Sequence, residues 1–284
     1  MRRTAPVAAL AALACCGGWA QPAPDSPTFE AASVKLSPPR KPGDIFFGRH
    51  SGGPGTPDPG RIDWRQMSID VLVSRAYDVP QWQLFSPDWT RLGQYDITAK
   101  LPPGTTMEQF RLMLQNLLAE RFKVRVHREM RELAGYSLTV ANGGPKLRPH
   151  VTTAQTAAED KPPESGFKLP AVGPDGYPVL TARIPMAAVD GKSRKRWDNA
   201  GIGEVAETLS AYLRAPVTDD TALTGKYDLE IYWQSRDFPA KPDDDPGPDL
   251  VAAVQQQLGL KMEKLKRPFE VLVLDSAEKI PTGD

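Results

Sequence analysis

Gly93-Gln94-Tyr95-Asp96-Ile97 returns 132 residues later as Gly225-Lys226-Tyr227-Asp228-Leu229. Trp64 and Ile69 are matched at a spacing of 133 by Trp197 and Ile202, and Leu72 is answered by Val205. Phe122-Lys123-Val124 is matched at 138 by Leu260-Lys261-Met262. A pattern repeated at nearly constant spacing predicts a duplicated scaffold. The drift is accounted for by Asp243-Asp244-Asp245-Pro246-Gly247-Pro248, which stands where the first copy has the shorter Pro102-Pro103-Gly104.

Working outward from Gly93, Tyr95, Ile97 and Ala99 alternate with Asp96, Thr98 and Lys100, the period-2 pattern of a half-buried strand. Upstream, Arg61-Ile62-Asp63-Trp64 reads as a short strand. Ser68 then caps a helix with Ile69, Leu72, Val73 and Ala76 on one stripe. Downstream, Thr105 or Thr106 caps a second helix carrying Phe110, Met113, Leu114, Leu117 and Leu118 on one face. Phe122, Val124 and Val126 begin another strand, with Tyr136, Leu138 and Val140 as its hairpin partner. The second copy repeats this order, with helical stripes at Ile202, Val205, Ala206, Leu209, Leu213 and at Leu250, Val251, Val254, Leu258. Phe269-Glu270-Val271-Leu272-Val273-Leu274 is apolar at nearly every position and predicts a strand covered on both faces.

The expected fold class is therefore α+β, with two tandem β-α-β-α-β-β repeats, each a small mixed sheet packed on two helices. The expected organisation is a signal peptide over 1–20, a proline- and glycine-rich leader with one strand over 21–60, repeat unit 1 over 61–141, a linker over 142–193 and repeat unit 2 over 194–280. The leader strand is Phe29-Glu30-Ala31-Ala32-Ser33-Val34-Lys35, and a short strand is possible in the linker around Val179 to Ile184.

Arg2 and Arg3, the apolar run Val7 to Ala14, and Gly18-Trp19-Ala20 have the layout of a secretory signal cut before Gln21. The apolar run is too short to span a bilayer. Both cysteines, Cys15 and Cys16, lie inside the first twenty residues, so the mature chain would carry no thiol. The alternative is a lipid anchor at Cys15. With 35 basic and 35 acidic residues, losing Arg2 and Arg3 leaves 33 against 35, a charge of −2. That balance gives no reason to expect a nucleic-acid partner.

Several segments carry a resemblance: Phe29 to Lys35, Gly93 to Ile97, Leu118-Ala119-Glu120-Arg121-Phe122-Lys123-Val124, His127-Arg128-Glu129, Gly143-Gly144-Pro145-Lys146-Leu147 and Leu223-Thr224-Gly225-Lys226-Tyr227-Asp228. These resemble the signature segments of a large, uncharacterised, soil-associated family of exported bacterial proteins. The resemblance implies export and no established reaction. In some relatives a similar domain is joined to membrane metallopeptidase sensors, a hint towards sensing; no His-Glu-x-x-His motif accompanies it here. The element order is also similar to the short N-terminal domain of secretins and TonB-dependent receptors, a periplasmic interaction module, which is a likeness of fold alone.

Candidate sites are sparse. Trp82, Phe85 and Trp89 crowd one proline-punctuated segment, either as a ligand or partner surface or as a lid packed on the first sheet. Asp96 and Asp228 stand at equivalent places. They are either an acid/base pair or, more commonly after a glycine turn, acceptors for backbone amides. Gly93, Tyr95, Gly225 and Tyr227 complete that repeated signature as structural residues. His50, His127 and His150 lack metal-ligand spacing and read as surface histidines. His127 lies in a charged stretch with Arg125, Arg128, Glu129, Arg131 and Glu132, either a solvated face or an anion contact. Asp243, Asp244 and Asp245 lack the spacing of a calcium loop.

No metal or cofactor is expected. The expected function is an exported, non-catalytic binding or sensing module of the cell envelope, with an envelope protein or small ligand as partner. The alternatives are an envelope hydrolase using carboxylates and a structural adaptor. A binding module should place an apolar pocket near Trp82, Phe85 and Trp89. Two acids with raised pKa facing one cleft would favour the hydrolase.

Overall fold

The computed structural model describes residues 26–38, 49–151, 170–181, 184–235 and 247–283. The expected signal segment, the alternative anchor at Cys15 and the aspartates 243–245 lie outside the described residues. Within them the chain is a mixture of five α-helices and three small sheets.

The first sheet contains β1 (Ala31–Leu36), β5 (Tyr95–Lys100), β3 (Arg61–Met67) and β2 (Arg49–Gly52), in that order and antiparallel throughout. On β5 the alternation works as expected: Tyr95, Ile97 and Ala99 are buried while Asp96, Thr98 and Lys100 turn outward. The buried face meets α1 (Ile69–Tyr77) and α3 (Met107–Phe122). Helix α3 is fixed at its start by a capping box. The Gln109 N–H donates to the Thr106 hydroxyl at 3.2 Å, and the Thr106 N–H donates back to the Gln109 amide oxygen at 3.0 Å. Ser68 stands at the N-cap of α1, but its hydroxyl donates to the buried Asp70 carboxylate at 2.5 Å instead of accepting from the backbone. Between α1 and β5 lie a 3₁₀ turn (Gln81–Gln83), β4 (Leu84–Phe85) and α2 (Trp89–Leu92).

A second antiparallel sheet has the order β7 (Arg148–Pro149), β11 (Tyr227–Gln234), β9 (Lys192–Ala200) and β8 (Met186–Val189). It packs on α4 (Ile202–Leu213) and on α5 (Leu250–Ala253), which continues as a π-helical turn over Val254–Leu258. Trp197, Leu229, Ile231 and Trp233 from the sheet close this core against Ile202, Val205, Leu209 and Val254.

The third sheet joins the two lobes. β6 (Arg125–Val140) and β12 (Leu260–Ser276) pair antiparallel from Leu260 opposite Val140 to Leu274 opposite Val126. Leu272 and Leu274 enter the first core, while Leu138, Leu260 and Met262 enter the second. β4 lies parallel on β12, and β10 (Val217–Asp219) lies parallel on β6. Val271 and Leu272 are consecutive and both buried, as a strand covered on two faces requires.

Two expectations are corrected here. Each helix-bearing sheet is wholly antiparallel, and the mixed sheet is the shared middle one. The hairpin expected between Val126 and Tyr136 is instead one continuous 16-residue strand. The glycine within it, Gly135, serves close approach: a Cβ there would stand 2.3 Å from the Pro216 carbonyl oxygen. That carbonyl accepts the Tyr136 N–H at 2.8 Å.

Candidate functional site

The repeated Gly-x-Tyr-Asp segment opens the central strand of each helix-bearing sheet. Each tyrosine folds back over the glycine two places before it. A Cβ on Gly93 would meet the Tyr95 hydroxyl at 2.8 Å, and one on Gly225 would meet the Tyr227 hydroxyl at 2.6 Å. The Tyr95 ring is 4.8 Å from Phe122 in an edge contact, and its hydroxyl donates to the Lys279 carbonyl at 2.7 Å.

The aspartate that follows reaches the neighbouring strand. At Gln66 and Asn199 the backbone has φ of 54°, which breaks ladder register three residues before the first residue of each sheet's following helix. Asp96 accepts the Gln66 N–H and Asp228 accepts the Asn199 N–H, each at 2.9 Å. Each carboxylate thus satisfies a donor that the bulge removes from the ladder.

The remaining partners differ. Asp96 also accepts from the Ser37 hydroxyl at 2.5 Å and from Arg65 at 3.3 Å. Burial pushes its carboxyl up, but the bonds from Ser37, Gln66 and Arg65 together outweigh this and hold it below the ordinary carboxylate range. Asp228 has the Asn199 N–H and, at 2.7 Å, the Nδ1 of His150; these, in that order, hold it low. Its side chain is 42% exposed against 19% for Asp96, so the second aspartate faces an opening.

That opening arises from an incomplete edge. In the first lobe β1 covers β5 along its full length, with Ser33 opposite Thr98. In the second lobe β7 covers β11 at Tyr227 and Asp228 only. The chain before β7 leaves the edge because the Lys146 N–H donates to the Leu258 carbonyl at 2.8 Å. Further along, the Gln257 side-chain amide takes the Tyr232 N–H at 3.0 Å and its C=O at 2.8 Å, and the Pro248 carbonyl takes the Gln234 N–H at 2.8 Å.

Glu230 lies between these closures. The opposite residue, Arg196, donates its N–H outward to the Pro185 carbonyl, so Glu230 and Arg196 form a non-bonded pair of the ladder. The main-chain N–H and C=O of Glu230 therefore point into the opening, and no partner reaches them among the described residues. A cleft of about 410 Å³ surrounds them, walled by Lys146 and Arg148 on one side and by Arg196 and Asp198 on the other. Lys146 is spent on the Gln256 carbonyl at 2.8 Å, and Arg196 on Asp198 and the Thr181 carbonyl, each at 3.2 Å. Arg148 is exposed and makes no ion pair among the described residues.

The expected aromatic cluster is dispersed. Trp82 sets its edge on Phe269 at 5.7 Å, Phe85 lies under the Arg131 guanidinium at 4.4 Å, and the Lys279 ammonium stands over Trp89 at 5.3 Å. Gln83 ties their segment to the Glu270 carbonyl at 2.6 Å. All three rings are half-buried against separate partners and line none of the clefts around Asp96, Asp228 or Glu230. His127 sits on the exposed ribbon 2.7 Å from Asp275 and 3.5 Å from Glu129, and Asp275 chiefly raises its pKa. Among the described residues no three His, Cys, Asp or Glu side chains converge as metal ligands. No helix there is long and apolar enough to cross a membrane.

Arg148 and His150 lie in the stretch expected to be linker, and Glu230 lies on an outward-facing position of the strand after Gly225. The signal that points to them is the shared aspartate: the residue opposite Asp96 is supplied from before the first helix pair, and the residue opposite Asp228, Arg148, from before the second.

No curated protein and no solved structure matches the chain, so nothing among them carries the soil-associated or secretin-domain likeness. The family model described as protein of unknown function, DUF3738, matches residues 70–277, which includes α1 from Asp70 onward, both aspartates, the cleft and the whole β6–β12 ribbon. The match covers well over half of the sequence, and the chain belongs to the DUF3738 family.

Proposed function

We propose that this chain is an exported, non-catalytic binding or sensing module of the bacterial cell envelope, built from two tandem copies of one unit around a shared ribbon. Equivalent features support the duplication. Gln66 and Asn199 are 133 apart, Tyr95 and Tyr227 are 132 apart, and the left-handed helix ends at Lys123 and Gly259 are 136 apart. The helix ends place Phe122 with Leu258 and Val124 with Leu260, two residues from the pairing that sequence alone suggests. Leu84 on Leu272 and Val217 on Tyr136 obey the same offsets, 133 and 136.

The observation that carries the binding function is the open edge at Glu230 beside Arg148, whose guanidinium makes no ion pair among the described residues. One copy covers this edge with its own strand and the other leaves polar backbone groups facing a cleft, as a recognition site for main-chain atoms would. Asp228, the carboxylate beside it, is held low by the Asn199 N–H and His150, which favours binding over general-acid hydrolysis there. Trp82, Phe85 and Trp89 act in this scheme as a lid on the first lobe.

Fractionation and intact mass of the protein expressed from its full reading frame test the export half. Recovery outside the cytoplasm with a chain starting at Gln21 supports it; a cytoplasmic chain retaining the first twenty residues overturns it. A photoreactive residue at position 257 tests the binding half, with position 100 as control. Adducts with an envelope component at 257 alone support binding, and adducts at neither overturn it.

A further inference from the structure

We infer that the cleft at Glu230 receives the free C-terminus of a peptide, held as one residue of added strand; this rests on the binding function above. The backbone groups set the geometry. In the first lobe, Thr98, 132 residues before Glu230, pairs with Ser33 of an antiparallel strand. In the second lobe no described residue takes the matching place, and one N–H and one C=O stand at Glu230 with the spacing of an antiparallel partner residue.

Strand direction then selects which end of a peptide fits. β7 runs antiparallel to β11 and already occupies the place opposite Asp228, with Arg148 as its first residue. A peptide in the same slot and direction enters beside Gln257 and advances towards Asp228. It must stop at Arg148, because the slot is filled from there on.

Its last residue therefore pairs with Glu230, and its terminal carboxylate comes against the exposed guanidinium that has no ion pair among the described residues. A planar guanidinium takes a carboxylate through two parallel bonds, which neither Lys146 nor Arg196 is free to do. A peptide running the other way would bring its ammonium to Arg148, against the charge. Gln257 limits the recognised segment, since its amide already satisfies Tyr232, the next outward-facing residue.

The test titrates the isotopically labelled protein with acetyl-Gly-Val-Ala as the free acid, with the same peptide as its C-terminal amide, and with acetate. The free acid is expected to bind about tenfold tighter than the amide, the ratio that one charge-assisted contact supplies, and to move the Glu230 amide resonance. Arg148→Ala should reduce the acid to the level of the amide. Gln257→Ala, which frees the Tyr232 groups, should tighten both peptides. Equal binding of acid and amide, an unaffected Arg148→Ala variant, or an acetate response equal to that of the acid would each overturn the inference. Adducts at position 257 in cells together with peptide failure would leave the binding function standing and remove this ligand alone.

Discussion

Asp96 and Asp228 do the same mechanical task in the two lobes, yet their settings diverge. Each holds a backbone N–H at 2.9 Å across a bulge. Around Asp96 the edge is sealed by a six-residue strand, and an arginine and a serine complete the carboxylate's partners. Around Asp228 the edge is covered at two residues, a histidine replaces the serine, and the residue at the position of Arg65 is Asp198. The lesson is that the repeated residues build the bulge, while the unrepeated ones decide whether the strand slot beside it is closed. The Arg65–Asp63 pair of the first lobe is the Asp198–Arg196 pair of the second with its charges exchanged. That exchange removes the cation that Asp96 uses and leaves the second aspartate more exposed.

The strongest way to break the comparison is at the ribbon. β4 meets β12 beside Val271, whereas β10 meets β6 beside Gly135, so the second lobe approaches its strand more closely. Gly135→Ala would drive a methyl group into the Pro216 backbone, which cannot move away as a flexible side chain could. Destabilisation of about 3 kcal/mol is expected by denaturant unfolding. A loss under 1 kcal/mol would mean that the lobes are not held to the ribbon at this distance.

What the sequence made legible follows from the range of the interactions. Strand β5 and the stripes of α1, α3 and α4 rest on periods of a few residues, and the cap at Thr106 on a spacing of three; all are local. The pairing of β6 with β12 joins residues up to 151 apart, Arg125 with Ser276, and Gly135 mimics a turn signal while serving a different purpose. The site suffers in the same way. His150 meets Asp228 across 78 residues, and no local pattern marks the linker as the supplier of an edge strand. Trp82 and Trp89 look like a surface because aromatic density is visible in sequence, whereas Phe269 and Lys279, on which they rest, are not neighbours in it.

The aspartates themselves sharpen the comparison. Asp96→Ala leaves the Gln66 N–H and the Ser37 hydroxyl without their acceptor inside a sealed edge, and should cost about 2–3 kcal/mol. Asp228→Ala leaves its orphaned donor at a solvent-accessible opening and should cost about 1 kcal/mol. Equal costs would show that the openness of the second lobe has no energetic consequence. The aromatic lid ranks next. Trp82→Ala removes a half-buried edge contact with Phe269 and should cost about 1.5 kcal/mol, with no change in peptide titration. A change in titration would return the aromatic segment to the binding surface.

The smallest effect concerns acid, and its direction follows from the depressed aspartates. Asp96 has a folded pKa below its ordinary value of 3.8, so its stabilising contribution is complete above the unfolded value and disappears as pH falls through the lower folded one. His127 works in the opposite sense. Its folded pKa is raised above 6.5, so what it contributes is present below 6.5 and is lost as pH rises through the folded value. The stability of Asp96→Asn relative to wild type should therefore improve as pH falls from above 3.8, while that of His127→Gln should improve as pH rises from 6.5. Asp228→Asn should follow Asp96→Asn with a shallower slope, because water competes for its partners. A slope for Asp228 as steep as that for Asp96 would mean that the second carboxylate is as sealed as the first, and the open edge beside Glu230 would lose its energetic support.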